Sequence, residues 1–166
     1  MRKIHVFPFI AFLLLTGCVS QATFDMKAKE ADTLGALSEN LQGQVNAIFV
    51  SNGKTYEITT NALQSLGIVL QTPAGSTCAG PPSLTCFGLA NIASKATLTD
   101  ITNPNNPIQL GGNQTLNVTL TDKGNPGSSD SIGITLWNGN TLLFSSEWTG
   151  SKTMEDTLSG GNLVVH

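Results

Sequence analysis

Residues 116–121 read Leu-Asn-Val-Thr-Leu-Thr, and residues 131–137 read Ser-Ile-Gly-Ile-Thr-Leu-Trp. In both stretches every second residue is a branched aliphatic one, and polar or small residues stand between them, apart from Trp137. Successive side chains of a β-strand point to opposite faces of the sheet, so this alternation predicts two strands with one buried face each.

The same alternation and turn chemistry continue outward from these two strands. Residues 45–50 and 55–59 flank Asn52-Gly53, and Asn-Gly is the dipeptide typical of a two-residue type I′ hairpin turn. Residues 138–140, Asn-Gly-Asn, predict a second hairpin, and residues 163–165 predict a closing strand. Strands separated by about ten residues predict a mostly β fold, a small antiparallel β-sandwich of the immunoglobulin-like kind.

Two segments predict short helices instead. Three leucines at positions i, i+3 and i+7 predict an amphipathic helix over residues 33–42, which either packs on the domain or docks to a partner. Residues 61–66 predict one or two further helical turns before Gly67.

The N-terminal stretch has the composition of an export signal. Arg2 and Lys3 precede a mostly apolar run over residues 4–15, which is too short for a membrane span of about 20 residues. The run ends in Leu15-Thr16-Gly17-Cys18, which resembles the bacterial lipobox. The resemblance implies that residues 1–17 are a cleaved signal peptide and that Cys18 carries a diacylglyceryl group and further acyl chains.

This resemblance also implies a location. Two or three acyl chains suffice for stable attachment to a membrane, because each buried methylene contributes about 0.8 kcal/mol. Residue 19 is Val rather than Asp, so the retention signal of inner-membrane lipoproteins is absent. We therefore expect a cell-envelope protein on the outer membrane, with residues 18–32 as a lipidated tether and residues 33–166 as a β-rich globular domain.

The cysteines fit an oxidising compartment. The sequence has three of them, and lipidation of Cys18 leaves Cys78 and Cys86 as a pair. We expect this pair to form a structural disulfide. The alternative is a redox or metal pair, which the seven intervening residues and the absence of a nearby histidine disfavour.

The charge of the exported part excludes some classes of partner. Without Arg2 and Lys3, six lysines, no arginine and eleven acidic residues remain, a side-chain charge of −5. Nucleic-acid binding depends on neutralising phosphates, and electrostatic membrane binding needs basic clusters. We therefore expect neither nucleic-acid binding nor electrostatic attraction to anionic lipid.

A second resemblance rests on residues near the end of the sequence. Residues 118–134 contain a strand, the string Asp-Lys-Gly-Asn-Pro-Gly and a second strand that follows Asp130, and residues 160–166 read Gly-Gly-Asn-Leu-Val-Val-His. These motifs resemble a β-sandwich module found near the C-terminal end of repetitive bacterial secreted and cell-surface proteins. The resemblance covers residues 88–166 and implies a sandwich fold and a surface location, without a catalytic activity.

The residue types needed for common enzyme chemistry are missing. Beyond Cys18 the sequence holds a single histidine, His166, which excludes a buried Ser-His-Asp triad and a multi-histidine zinc site. Glu155 and Asp156 are adjacent, so on a strand they would point to opposite faces and act as solvated residues rather than as a catalytic pair. We therefore expect a protein that is not an enzyme, with a carboxylate-dependent hydrolase as the least favoured class.

Two candidate sites remain. Asp100, Asp122 and Asp130, with Asn103 or Asn125, offer the oxygen ligands that calcium prefers, although such residues more often cap loops. Trp137 and Trp148 stand beside Asn and Thr residues and either bind a sugar or protein or cover an edge of the sheet.

These observations together favour a lipid-anchored, non-catalytic structural or binding module of the cell envelope, with an envelope protein or a glycan as its ligand. The alternative is an accessory subunit of an envelope assembly or secretion complex, for which the helix over residues 33–42 would be the docking element.

Overall fold

The computed structural model describes residues 15–16, 19–29, 39–71, 87–123 and 129–158 of the chain. These residues form one nine-stranded sheet. Its strands are β1 (Leu15–Thr16), β2 (Val19–Lys29), β3 (Glu39–Ser51), β4 (Lys54–Gln71), β5 (Phe87–Asp100), β6 (Ile108–Asp122), β7 (Ser131–Asn138), β8 (Thr141–Ser145) and β9 (Asp156–Thr157).

The strands follow one another across the sheet as an up-and-down meander. The order is β1-β8-β7-β6-β5-β4-β3-β2, with β9 beside β7. All neighbours are antiparallel except β1 and β8, which are parallel. The predicted mostly β, antiparallel fold is therefore confirmed. Within the described ranges no helix is long and apolar enough to span a membrane.

The sheet curls, so that strands far apart in the strand order face each other across the core. Phe49 on β3 and Phe144 on β8 lie far apart in the strand order, yet their ring centroids are 3.9 Å apart. Tyr56 also stacks on Phe49, with ring centroids 5.2 Å apart. This aromatic stack is surrounded by the alternate apolar residues of β3 to β8, which include Val45, Ile58, Ile92, Leu98, Leu116, Val118, Ile134 and Leu136.

The predicted hairpin around Asn52-Gly53 is confirmed. Ser51 pairs with Lys54, so the turn has two central residues. Asn52 and Gly53 both have positive φ, 51° and 73°. A type I′ turn requires positive φ at both positions, which asparagine and glycine adopt most readily.

The prediction of helical turns over residues 61–66 is wrong, because this segment lies inside β4. The ladder between β4 and β5 shifts register at Asn61 and again at Gln64, each of which is an extra residue on β4. Leu63 and Leu66 therefore both approach the core although they are three residues apart. The two bulges therefore produce the three-residue spacing of apolar side chains that is typical of a helix.

Several predictions about the ends of the chain fall partly or wholly outside the described residues. Residues 39–42 of the predicted helix belong to β3, while residues 33–38 are not described. In the predicted tether, Val19–Lys29 forms β2 and pairs with β3. The bulk of the predicted signal peptide, Cys18 and the predicted closing strand over residues 163–165 lie outside the described ranges.

Candidate functional site

The meander gathers the connections between strands at two ends of the sheet. One end, which we call the turn end, holds the turns and loop at residues 51–54, 101–107 and 139–140. The other, which we call the acidic end, holds the end of β6, the start of β7 and β9, with Asp122, Asp130, Glu155 and Asp156. The three sequence-predicted aspartates, Asp100, Asp122 and Asp130, divide between these two ends.

Asp100 lies at the turn end, where it joins β4, β5 and the loop that follows. Its carboxylate is buried, with Oδ2 2.9 Å from the Nζ of Lys54 and Oδ1 3.0 Å from the amide nitrogen of Thr102. Hydrogen bonds from Thr102 and Lys54 lower the pKa of Asp100 to about 2. The amide bond from residue i+2 is that of an Asx turn, so Asp100 serves here as a loop cap.

The folded protein should lose the contribution of Asp100 to its stability in acid. Because the pKa is lowered from 3.8 to about 2 on folding, the stabilisation is present above pH 3.8 and disappears as the pH falls towards 2. Thermal unfolding should show a higher Tm for the wild type than for Asp100→Asn at neutral pH and a shrinking difference below pH 4. Lys54→Met should remove part of the same pH dependence. A difference that is constant down to pH 2 would contradict this assignment.

Asp122 and Asp130 lie together at the acidic end, both fully buried. Oδ1 of Asp130 accepts a hydrogen bond from the amide of Lys123 at 2.9 Å, and its backbone oxygen accepts one from Leu158 at 2.8 Å. Asp130 thus ties the end of β6 and the residue after β9 to the start of β7. Such contacts are those of a structural carboxylate.

The structure does not bring Asp100 together with the other two aspartates. Asp122 pairs with Gly88 at the start of β5, whereas Asp100 ends that strand and pairs with Ile108. At about 3.3 Å per residue the two positions are on the order of 40 Å apart, so one calcium ion cannot bridge them. Across the described ranges, no group of three or more His, Cys, Asp or Glu residues is arranged to hold a metal ion.

Trp137 and Trp148 do meet, as an edge-to-face pair. Their ring centroids are 6.1 Å apart with an interplanar angle of 75°, and both side chains are half-buried. Trp148 belongs to a strap, residues 146–155, which is closed by a bridge between Trp148 and Thr153. The two indoles therefore contact each other rather than forming a flat platform, an arrangement that suits covering the sheet.

The strap also carries a polar cluster that the sequence did not indicate. Oε2 of Glu155 accepts hydrogen bonds from the hydroxyls of Thr121 and Ser131, each at 2.6 Å. The interpretation of Glu155 as a solvated residue is therefore wrong, because its carboxylate is half-buried against β6 and β7. Alternation along β6 and β7 predicts that Thr121 and Ser131 share the outer face, but not that a later carboxylate reaches them.

The neighbouring acid makes a different contact. Asp156 shares a hydrogen bond with Glu147, and this bond raises the pKa of Glu147 above its usual range because one proton stabilises two adjacent carboxyl groups. Glu155 and Asp156 thus have different partners, although Glu155 precedes β9 and is not part of it. The hydrogen bonds of Glu155 hold the strap against the sheet.

The cysteines lie outside the described residues. Cys78 and Cys86 both belong to the connection between β4 and β5, whose two ends are joined by pairing of Gln71 with Phe87. The disulfide therefore remains a prediction for a segment whose ends are neighbours in the sheet.

Comparison with known proteins finds no matching family model, no significant match among curated proteins and no significantly similar solved structure.

Proposed function

We propose that the protein is a lipid-anchored component of the bacterial cell envelope and acts there as a non-catalytic structural or binding module. The observation that carries this proposal is Leu15-Thr16-Gly17-Cys18 at the end of a short apolar run that follows Arg2 and Lys3. The Val at position 19 favours the outer membrane as the final location.

The pairing of β1 is compatible with removal of residues 1–17. Within the part of the chain that the structure describes, Leu15 and Thr16 pair only with Phe144 and Ser145 of β8, over two residues. Strands β2 to β8 pair with one another and do not need β1 for their register. Cleavage before Cys18 would therefore remove a two-residue strand and leave the rest of the sheet intact.

The contacts of the polar residues support a role without catalysis. Asp100 caps a loop, Asp130 ties strand ends together, and Glu155 accepts hydrogen bonds from two hydroxyls. Carboxylates held in this way stabilise the fold, whereas a general acid or base needs a free position beside the substrate.

We further propose that the curled sheet packs as a small antiparallel β-sandwich. Its strand order within one sheet differs from the two sheets and Greek-key connections of the expected immunoglobulin-like kind. The stacking of Phe49 on β3 against Phe144 on β8 supports the sandwich packing, because it puts strands from the two sides of the curled sheet face to face. In such a module the outer faces and loops are free for a ligand, and the pair of Trp137 and Trp148 is the candidate contact for an envelope protein or glycan.

The experiment that tests the anchor is Cys18→Ser in cells that export the protein. We expect the wild type to incorporate labelled palmitate and to fractionate with the outer membrane, and the variant to remain unlabelled and lose membrane attachment. Cys78→Ser is the matched control, which should stay labelled and membrane-bound. Equal labelling of the wild type and Cys18→Ser would overturn the proposal.

A further inference from the structure

Three large apolar side chains are exposed at the turn end of the sheet. Val50 is 48% exposed, Ile108 54% and Leu110 51%. Val50 pairs with Thr55, and Ile108 pairs with Asp100, which in turn pairs with Tyr56. Val50 therefore lies one residue nearer the end of the sheet than Ile108 and on the opposite face, and three strand spacings of about 14 Å in total separate their strands.

Two of these side chains, those of Ile108 and Leu110, lie at the start of β6, where the described sheet has an open edge. β7 pairs with β6 only from Thr115 onward, so within the described sheet residues 108–114 have a neighbour on one side only. A register shift between β5 and β6 leaves Leu110 as an extra residue between Gln109 and Gly111. Apolar residues on an open edge attract another apolar surface, and exposed patches of this kind mark interaction sites.

The charges are divided unevenly between the two ends of the sheet. At the turn end Lys54 and Asp100 form an ion pair at 2.9 Å, and Glu57, which pairs with Thr99, adds one negative charge. Asp122, Asp130, Glu155 and Asp156 all lie at the acidic end. An anionic membrane surface therefore repels the acidic end more strongly than the turn end.

The residue that follows the proposed lipid attachment lies at the turn end. Cys18 directly precedes Val19, and Val19 pairs with Phe49, the neighbour of Val50. Consecutive Cα atoms are about 3.8 Å apart, so the acyl chains would leave the protein beside the first residues of the sheet rather than at the end of a long tether.

We propose that the turn end rests on the membrane and that Val50, Ile108 and Leu110 enter its interfacial layer. The occupant of this apolar surface is the lipid surface to which Cys18 is attached, and the inference rests on that anchor. Apolar side chains of peripheral proteins enter the headgroup and acyl boundary to a depth of about 5–10 Å. The sheet then stands on the membrane with its acidic end directed away from it.

The test uses the mature lipidated protein in phosphatidylcholine vesicles whose acyl chains are brominated, with tryptophan as the reporter. Leu110→Trp puts a reporter at the turn end, and Ile68→Trp puts one at a matched exposed position, because Ile68 is 43% exposed and pairs with Ala90 away from that end. We expect the brominated lipid to quench the added fluorescence of Leu110→Trp about twofold more than that of Ile68→Trp. Ile108→Trp should behave like Leu110→Trp.

Equal quenching of the two reporters, or stronger quenching of Ile68→Trp, would overturn the inference. A change in the fluorescence of Leu110→Trp that depends on protein concentration and not on bromination would also overturn it, since a second copy would then cover the surface. Failure of the anchor is a separate result, because a protein without lipid would not float with the vesicles at all.

Discussion

Replacing Phe144 with alanine should lower the free energy of unfolding by about 4 kcal/mol, since truncation of a fully buried phenylalanine costs about 3–5 kcal/mol. Phe144 has no exposed surface and stacks on Phe49 at 3.9 Å. The contact joins β8 to β3 across the interior, so the cavity would open where the two ends of the curled sheet meet. At about 2–4 °C per kcal/mol for a domain of this size, Tm should fall by about 10 °C.

Denaturant unfolding of the soluble Cys18→Ser form, with and without Phe144→Ala, measures this loss. Leu142→Ala on the same strand is the matched control, because Leu142 is half-buried and should cost clearly less. The double variant with Phe49→Ala should be less destabilised than the sum of the single changes, by about 0.5–1.5 kcal/mol for the aromatic pair. If the losses in the free energy of unfolding of the two single variants add fully, the two rings do not stabilise each other.

Gly133→Ala should lower the free energy of unfolding by about 1–3 kcal/mol, the cost of overpacking. A Cβ at position 133 would lie 2.7 Å from Oγ1 of Thr119 and 3.5 Å from the backbone oxygen of Met154. The strap over residues 146–155 covers the outer face of β7 here, and the backbone of the strap lies close to Gly133. Alanine would push Thr119 or the strap outward.

Two further variants separate this clash from other effects of a glycine substitution. Gly133→Ala combined with Thr119→Ala should regain much of the lost stability, because the second change removes the hydroxyl that the new methyl group meets. Gly67→Ala is the matched control, since the one atom of the described residues within 4 Å of its added Cβ is the backbone oxygen of Asn91 at 4.0 Å. This change should be neutral or slightly stabilising. If Gly67→Ala and Gly133→Ala cost the same, the close approach of the strap is not the cause.

The alternation of residues predicted the fold well where the strands are regular. On β6 and β7 the apolar set that includes Leu116, Val118, Ile134 and Leu136 faces the core as expected. Alternation failed on β4, because bulges at Asn61 and Gln64 change which residues face inward. Bulges arise from how two strands fit each other, so the sequence of one strand does not reveal them.

The three aspartates of the candidate calcium site do not form one group, for a different reason. Asp100 ends β5 and Asp122 ends β6. In an up-and-down meander the ends of consecutive strands lie at opposite ends of the sheet, so counting strands would have separated these two residues. No pattern in the sequence indicates the polar cluster around Glu155. The cluster depends on the point at which the irregular backbone of the strap meets the sheet again.

The pairing of each strand with the next has a consequence for the order of folding. Each strand from β3 to β7 can pair with the strand just before it, so these hairpins need no residue from later in the chain. The meeting of Phe49 with Phe144 is non-local and waits for β8, and contacts of that kind form slowly. Until then the sheet stays open and its core remains in contact with water, so the domain closes only after almost all of its strands have formed.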